Sequence, residues 1–371
     1  MANIFINGLN SKAGGGKVIL DNYLNSLIKT NSKHKYFILT PNKNYYSRFE
    51  SDSITILDIN WLFRFNIFFP LLYFFVFPRL FRQNNIEIVF NLGDVIIPTE
   101  ISQIYFFDWA YAVYSEPHIW EKMSIKDLIV RRVKVFMIKK YINKAKIVIA
   151  QTNNMIHRLK LYFNLSNVKL IPTPLGIEFN NRDFYKNYNL PSEKIKFLFP
   201  ASYSSHKNFD ILKELTEVIY KKKLPYVIVL TLNNKDMLSL NKNINKLFSE
   251  LIINVGNQQK ENMPSLYNQC DVLFFPTILE SYGLPYIEAM SLSKPIITSD
   301  LDFAHDICDD AAFYFNPNDA NSILEAMIKV CSNKIIKNKL ISAGNKKVEN
   351  MNNWEITNLE FQKCINILIS E

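Results

Sequence analysis

The stretch from residue 272 to residue 300 constrains this chain more than any other; it reads V-L-F-F-P-T-I-L-E-S-Y-G-L-P-Y-I-E-A-M-S-L-S-K-P-I-I-T-S-D. Val272 to Thr277 is a short apolar run that is broken by a proline, which is typical of a strand buried on both faces. Pro285 suits the first turn of a helix, where its missing N–H costs nothing. Lys294 to Thr298 then begins another buried strand. A strand, a loop, a helix and a second strand in this order predict a parallel α/β sheet.

Two carboxylates flank the predicted junction of loop and helix. Glu280 lies in the loop and Glu288 one turn into the helix, and helical side chains lean toward the helix N-terminus, so Glu288 is expected to point back toward Glu280. The backbone N–H groups between them lie at a helix N-terminus, which favours anions. They belong to Ser281, Tyr282, Gly283 and Leu284. Because amides suit phosphate oxygens and ionised carboxylates accept hydrogen bonds from sugar hydroxyls, the pattern predicts a nucleotide-sugar site.

The run E-S-Y-G-L-P-Y-I-E-A-M, followed by K-P-I-I-T-S-D, resembles the E-x7-E signature of the retaining GT-B glycosyltransferases of family 4, also called glycosyl transferases group 1. The resemblance implies an α/β fold of the GT-B type, with two Rossmann-like domains facing across a cleft. We expect an acceptor-binding domain over residues 1–175, a nucleotide-sugar-binding domain over residues 176–353, and a C-terminal helix over residues 354–371 that packs back on the first domain. Specific motifs extend over residues 165–371, whereas the first 164 residues show only a general likeness.

The resemblance also implies roles for individual residues. Glu288 is expected to hold the ribose, and Glu280 to contact hydroxyls of the transferred sugar. Lys207, in the sequence H-K-N, matches a family lysine that touches the donor phosphates, and Gly256 matches a loop near the nucleotide base. Lys207 and the amides of residues 281–284 would stabilise the departing diphosphate. The donor, a UDP or GDP sugar, is a substrate, so we expect no cofactor and no metal.

The chain departs from the family pattern at two places. The family usually has an arginine shortly before the lysine, but Ala201 or Ser202 stands near that place here. Many members have a histidine at the end of a strand in the first domain, where this chain has Asp108, and the next histidine is His118. Asp108 either accepts a hydrogen bond from a sugar or acceptor hydroxyl or caps the following turn, and both interpretations stay open.

A glycine-rich loop is predicted after the first strand, with the sequence S-K-A-G-G-G-K at residues 11–17. The resemblance places Gly15 and Gly16 in this loop, facing the cleft near the acceptor and the donor phosphate; a plain tight turn is the alternative. The loop lacks both G-x-G-x-x-G and G-K-[ST], which argues against NAD and ATP sites. Asp300-Leu301-Asp302 resembles the D-x-D metal motif of another glycosyltransferase architecture, but it lies in the wrong half of the chain.

The positive charge is concentrated in the first half of the chain. Residues 1–175 hold 22 Lys and Arg against 11 Asp and Glu, whereas the remainder holds 21 against 23. Such a distribution indicates an anionic partner, which could be a membrane surface or a nucleic acid. Of these two we favour the membrane surface. The aromatic window over residues 61–81 fits a core helix, a membrane-surface element or a membrane span, and the basic helix over residues 125–143 fits a solvated or a membrane-facing surface.

The N-terminal residues and the cysteines, taken with the basic first half, predict a cytoplasmic protein that is peripheral on the inner face of the cell membrane. Met1 to Leu9 is typical of a strand and lacks the basic head and long apolar stretch of a signal peptide. The cysteines lack the spacing of metal ligands and are interpreted as reduced thiols. They are Cys270, Cys308, Cys331 and Cys364.

The sequence therefore predicts a hexosyltransferase that extends a cell-surface glycan of the lipopolysaccharide, O-antigen or capsule type, on a lipid carrier or lipid A core, with the glycan as acceptor. The candidate catalytic residues are Glu280, Lys207 and Asp108. A non-catalytic nucleotide-sugar-binding protein or partner subunit is an alternative, because of the two departures. A nucleotide-sugar epimerase, which shares the architecture, is a weaker one.

Overall fold

The computed structural model describes residues 1–12, 14–29, 32–59, 68–121, 123–176, 186–241 and 250–370. The chain divides into two compact units, which are described separately below. Unit 1 comprises Met1–Pro174 together with Asn352–Glu371, and unit 2 comprises Leu175–Met351. The polar residues 178–194, whose composition predicts a linker, lie partly outside the described residues.

Unit 1 is built on a parallel sheet of seven strands in the order β3-β2-β1-β4-β5-β6-β7. The strands are β1 Asn3–Asn7, β2 Lys35–Leu39, β3 Ile54–Leu57, β4 Ile88–Asn91, β5 Ser102–Phe106, β6 Ile147–Ala150 and β7 Val168–Leu170. Most are short runs of buried Ile, Val and Phe, as expected for strands covered on both faces. The strand order reverses direction between β1 and β4, so the loops that follow these two strands open a crevice at the carboxyl edge of the sheet.

Helices cover both faces of this sheet. They are Gly14–Lys29, Lys43–Tyr46, Phe69–Leu71, Phe77–Gln83, Pro117–Trp120, Ile125–Tyr141, Asn153–Phe163 and Trp354–Ser370, with a π-helical segment Leu72–Val76 and 3₁₀ turns at Ser47–Phe49, Ala110–Ala112 and Ile142–Lys144. The last of the helices belongs to the core of unit 1 although it ends the chain. The ring of Phe361 packs edge-on against the rings of Tyr23 and Phe90, at centroid distances of 5.5 and 5.3 Å.

The prediction of a glycine loop was wrong in its boundary. The first helix begins at Gly14, so Gly15 and Gly16 lie in its first turn and not in a loop before it. Glycine is a poor helix former, but Leu20 and Leu24 are fully buried in the sheet-facing core. Burial of the helix face that carries Leu20 and Leu24 stabilises the helix, and the glycines therefore form its first turn.

The aromatic window is helical wherever the structure describes it, from residue 69 onward; residues 61–67 lie outside the described part. Phe77 and Phe81 are buried against Phe5, with ring centroids 5.7 and 5.0 Å apart. Phe74 and Phe75, on the other side, are exposed. One side of this segment therefore packs in the core. Nowhere in the described residues does a helix combine the length and apolarity needed to cross a membrane.

Unit 2 is built on a parallel sheet of six strands in the order β10-β9-β8-β11-β12-β13. The strands are β8 Ile195–Phe199, β9 Tyr226–Leu230, β10 Ile252–Asn254, β11 Val272–Phe275, β12 Ile296–Ser299 and β13 Ala312–Phe315. The helices are Ile211–Lys221, Asn234–Asn241, Met263–Gln269, Leu284–Ser291, Asp302–Cys308, Ala320–Ser332 and Lys334–Glu349, with 3₁₀ turns at Ser205–Lys207, Lys260–Asn262 and Asp309–Ala311. Here the strand order reverses between β8 and β11, and the crevice of unit 2 lies between the loops that follow these strands.

Candidate functional site

The two loops at the crevice of unit 2 are joined by an ion pair. Lys207, at the end of the loop after β8, contacts the carboxylate of Glu280, in the loop after β11. The two side chains are 15% and 12% exposed, so solvent screens the pair only weakly. The ammonium also lies 4.8 Å from the centroid of the Phe275 ring. The structure thus brings together two residues that are 73 positions apart in the sequence.

Backbone contacts hold these loops in register. The N–H of Ile278 donates to the carbonyl oxygen of His206 at 2.8 Å. The buried Thr277 hydroxyl lies 3.0 Å from that same carbonyl oxygen, 3.0 Å from Oε1 of Glu280 and 3.1 Å from the carbonyl oxygen of Leu279, so its single proton is donated to one of three acceptors. Asn208, in the left-handed conformation, donates from its side chain to the carbonyl oxygen of Pro317 at 2.8 Å. The positions of Lys207 and Glu280 are therefore fixed before any ligand binds.

The helix that follows the second loop begins at a turn that only glycine suits. Gly283 has φ +73°, and a Cβ at this position would lie 2.7 Å from ring carbons of Tyr286. The Tyr286 hydroxyl is hydrogen-bonded to Thr298 at 2.8 Å in the core, so the ring cannot easily move away. Pro285 occupies the first turn, as predicted. The backbone of residues 281–284 thereby enters the helix N-terminus directly beside Glu280.

Glu288 is held by a residue that sequence reasoning missed. The Tyr267 hydroxyl donates to Oε2 of Glu288 at 2.9 Å. Burial, and then the nearby carboxylate, raise the pKa of Tyr267, so the phenol stays a neutral donor. No spacing pattern marks Tyr267, because it lies on the preceding helix, Met263–Gln269, and only the fold places it against Glu288.

Gly256 lies farther from the pair than the other predicted residues of unit 2. It follows β10, the edge strand, which is separated from β8 by β9. Its φ is +77°, and no atom lies within 4 Å of the position that a Cβ would take. The loop is anchored by Asn254, whose side chain bonds both the N–H and the carbonyl of Leu232 at 2.9 Å. Gly256 thus lines open space at the carboxyl edge of the sheet.

Asp108 directly follows β5, at the carboxyl edge of the sheet in unit 1. Burial, reinforced by the negative charge of Asp94, raises the pKa of Asp108 to about 8. Asp94 itself is paired with Lys134 at 2.5 Å. Asp108 therefore stays protonated to a higher pH than an ordinary carboxyl group, and in that form it can donate a hydrogen bond as well as accept one. His118 lies exposed on the helix Pro117–Trp120.

The first-turn glycines of unit 1 lie beside the crevice between β1 and β4. A Cβ on Gly16 would lie 3.6 Å from the Cα of Ser11. The Ser11 hydroxyl is buried and finds no hydrogen-bond partner within the described residues. Below it, the side chains of Asn7 and Asn91 join β1 to β4 through a buried hydrogen bond of 2.9 Å. Gly15, Gly16 and Asp108 thus belong to a different unit from the other predicted site residues.

The superficial D-x-D motif is accounted for by local structure. Oδ1 of Asp300 lies 2.6 Å from Nε2 of His305, and Oδ1 of Asp302 accepts from the N–H of Phe303 at 2.8 Å. In the part of the chain that the structure describes, no group of three or more His, Cys, Asp or Glu side chains could hold a metal ion. The four cysteines are unpaired by disulfides, and Cys331 alone among them is not fully buried.

Comparisons with known proteins agree with this fold. Residues 180–347 match the family model for glycosyl transferases group 1. The O-antigen chain mannosyltransferase RfbU of Salmonella typhimurium is 26% identical over 186 residues, which is 44% of this chain and 53% of that protein. The match thus spans only about half of that relative's length.

Two solved structures resemble the whole chain in fold. Sucrose-phosphate synthase (tll1590) from Thermosynechococcus elongatus superposes with a TM-score of 0.75 at 16% identity, covering 100% of both chains. Anabaena Alr3699/HepE, solved in complex with UDP and glucose, superposes with a TM-score of 0.65 at 13% identity, covering 99% of this chain and 100% of that one. Residues 180–347, which contain the Lys207–Glu280 pair and the Gly283 turn, therefore match the glycosyl transferases group 1, and the two parallel sheets of the chain have the GT-B fold.

Proposed function

We propose that this protein is a retaining glycosyltransferase that moves a hexose from a nucleotide-diphosphate sugar, with UDP or GDP as the nucleotide, to a growing cell-surface glycan. The observation that carries the proposal is the Lys207–Glu280 pair at the crevice of unit 2. A cation and a carboxylate held together at a strand-order reversal suit a ligand that has both a diphosphate and sugar hydroxyls.

Lys207 is the proposed electrostatic catalyst. Its ammonium has three donors, and the contact with Glu280 uses one of them, which leaves the others for phosphate oxygens. As the glycosidic bond breaks, negative charge grows on the departing diphosphate. A fixed cation and the amides of residues 281–284 stabilise that charge without reorganisation, and loss of one such donor costs about 10²–10³ in rate at comparable oxyanion sites. The same groups supply the positive charge that a metal ion provides elsewhere.

The two carboxylates divide the rest of the donor between them. Glu280 uses one oxygen for Lys207 and Thr277, and its second oxygen is assigned to the hydroxyls of the hexose. Glu288, oriented by the Tyr267 hydroxyl, is assigned to the ribose, and Gly256 to the base. The attacking hydroxyl enters on the face from which the diphosphate departs. Unit 1 is assigned to the acceptor, with Asp108 for the acceptor hydroxyl and Gly15 and Gly16 for a phosphate group.

A surface of unit 1 supports a peripheral location on the inner face of the cell membrane. We define the basic apolar face as the exposed side chains Ile129, Val133 and Phe136 of the helix Ile125–Tyr141, together with Phe74 and Phe75. The Phe74 and Tyr141 rings, 6.3 Å apart, connect the two stretches. Exposed apolar side chains among lysines and arginines suit an anionic leaflet, where each cation contributes about 1 kcal/mol.

The proposal is tested by sugar transfer from UDP-, GDP- and dTDP-hexoses to extracted lipid-linked glycan. We expect Lys207→Met and Glu280→Gln to lose most of the turnover. Lys221→Met is the matched control, because Lys221 forms an exposed ion pair with Glu217 on the same unit. Full activity in both site variants would remove the assignment of this site.

The absence of an arginine before Lys207 favours one competing function, a nucleotide-sugar-binding protein or partner subunit without activity. Ala201 and Ser202 stand near the place of that arginine, so fewer positive charges face the phosphates. Calorimetric titration with the same donors, followed by product analysis without acceptor, separates the possibilities. Binding without transfer or slow hydrolysis would favour the non-catalytic protein, and a changed sugar in the product would favour an epimerase.

A further inference from the structure

A cavity of about 610 Å³ lies in unit 1, apart from the loops at the carboxyl ends of β1 and β4. Three pieces of chain form it: the loop after β5, the helix Ile125–Tyr141, and the end of the helix Asn153–Phe163. Its volume falls in the range of small-molecule pockets. None of the residues that line this cavity has a role in the proposed donor site or acceptor site.

The walls of the cavity are aromatic and are held in place from behind. Tyr111 and Trp120 pack edge-on at 5.7 Å, and Trp120 donates to the carbonyl oxygen of Tyr114 at 2.8 Å. The Arg158 guanidinium stacks 3.5 Å from the centroid of the Tyr114 ring, and Tyr162 is hydrogen-bonded to Ser115 at 2.8 Å. Because most polar atoms of the wall are engaged by neighbours, the cavity offers its ring faces to an apolar ligand.

One helical stripe brings two cations to this apolar space. Leu128, Arg132, Val135 and Lys139 line the cavity from the helix Ile125–Tyr141. Their spacing places them on one side of the helix, with Arg132 and Lys139 about 10 Å apart along its axis. Neither cation has an ion pair or hydrogen bond within the described residues. The carboxylate of Glu121 also lines the cavity, but its residue is exposed.

We infer that this cavity binds the single-chain lipid phosphate that carries the acceptor glycan, with the hydrocarbon chain among the aromatic side chains and the phosphate at Arg132 and Lys139. Charge complementarity selects an anionic head group, and the apolar walls select a hydrocarbon chain. Ile129, Val133 and Phe136 of the basic apolar face lie on the same helix as the cavity stripe, so a hydrocarbon chain that leaves the cavity meets the surface assigned to the membrane. This inference rests on the proposed function for the identity of the glycan carrier, but not for the binding itself.

Binding is measured by isothermal calorimetry on the full chain without donor, with farnesyl phosphate as the probe. We expect saturable binding, with farnesol and inorganic phosphate each binding at least tenfold more weakly because each lacks one half of the ligand. Arg132→Ala and Lys139→Ala should each weaken binding about 5-fold, the factor that corresponds to one cation near an anionic lipid. Lys160→Ala, an exposed cation of the same unit outside the cavity, is the control.

A second pair of variants tests the cavity itself. Leu128→Trp narrows it at the cationic stripe and should weaken farnesyl phosphate binding, whereas Leu161→Trp, at an exposed position outside it, should not. Thermal melting establishes that both variants fold. Equal binding by the two variants, or equal affinity for dihexanoyl phosphatidic acid as a two-chain membrane phospholipid, would overturn the inference. Lipid binding without any sugar transfer would instead overturn only the proposed function, and transfer to lipid-linked acceptor that is insensitive to Leu128→Trp would overturn only the cavity assignment.

Discussion

The contact between Lys207 and Glu280 allows stability and catalysis to be separated in one experiment. Lys207→Met leaves the Glu280 carboxylate, which is only 12% exposed, without its cation. Breaking a fully buried pair costs about 3–5 kcal/mol. Because Glu280 keeps the Thr277 hydroxyl and some contact with water, we expect a smaller loss of unfolding free energy, about 2 kcal/mol, which is typical of a charged hydrogen bond.

Glu280→Gln should cost a similar amount, since it leaves the ammonium without a carboxylate. The double variant should recover part of the loss, because no unpaired charge remains, and we expect a coupling energy of about 1–3 kcal/mol. Transfer should not recover. All three variants lack a charge that acts on the departing diphosphate or the sugar, so kcat/KM should stay about 10²–10³ below that of the wild type.

Urea titration followed by far-UV circular dichroism measures the stabilities, because all four tryptophans of the chain lie in unit 1 and their fluorescence would not report on unit 2. The exposed pair Lys221 and Glu217 provides the control cycle, for which we expect a coupling of at most about 0.5 kcal/mol. Additive losses for Lys207→Met and Glu280→Gln would show that the contact contributes nothing. Wild-type transfer by Lys207→Met would refute the electrostatic role.

Three further predictions concern single positions. Gly283→Ala should lower the thermal stability more than Gly256→Ala, because both positions have positive φ but only the new Cβ at position 283 would also clash with an aromatic ring. Equal losses for the two variants, each about 1–3 kcal/mol from the backbone alone, would contradict the clash. The pKa of Asp108 is raised from 3.8 to about 8, so the native state binds a proton that the unfolded state has lost, and the unfolding free energy should fall as pH rises between these values. Asp108→Asn should flatten that fall. If urea titrations across this pH range gave the same slope for the variant as for the wild type, the raised pKa would be contradicted. Tyr267→Phe removes the hydroxyl that orients Glu288, so KM for the donor should rise about tenfold with kcat little changed, as expected for lost ground-state binding. Initial-rate kinetics measure both constants, and an unchanged KM would exclude the positioning role of Tyr267.

Much of the fold followed from local sequence. The apolar run at residues 272–277 predicted a strand, and the observed strand Val272–Phe275 begins at the same residue, because strands buried on both faces leave no polar alternation to confuse the pattern. The turn at Gly283 and the helix start at Pro285 were also predictable, since few other residues suit those backbone conformations. The start of the first helix was not, because burial of its far end decides where it begins.

The sequence by itself determined the resemblance to the family and the residue types of the candidate site, because glycine, proline and carboxylates at fixed spacing are local requirements of one loop and one helix. Only the tertiary structure decided which of them meet. The pairing of Lys207 with Glu280, the hydroxyl of Tyr267 on Glu288 and the elevated pKa of Asp108 all depend on groups that are distant in sequence or on burial. The physical reason is that strand order in a parallel sheet, and not sequence separation, sets which loops are neighbours.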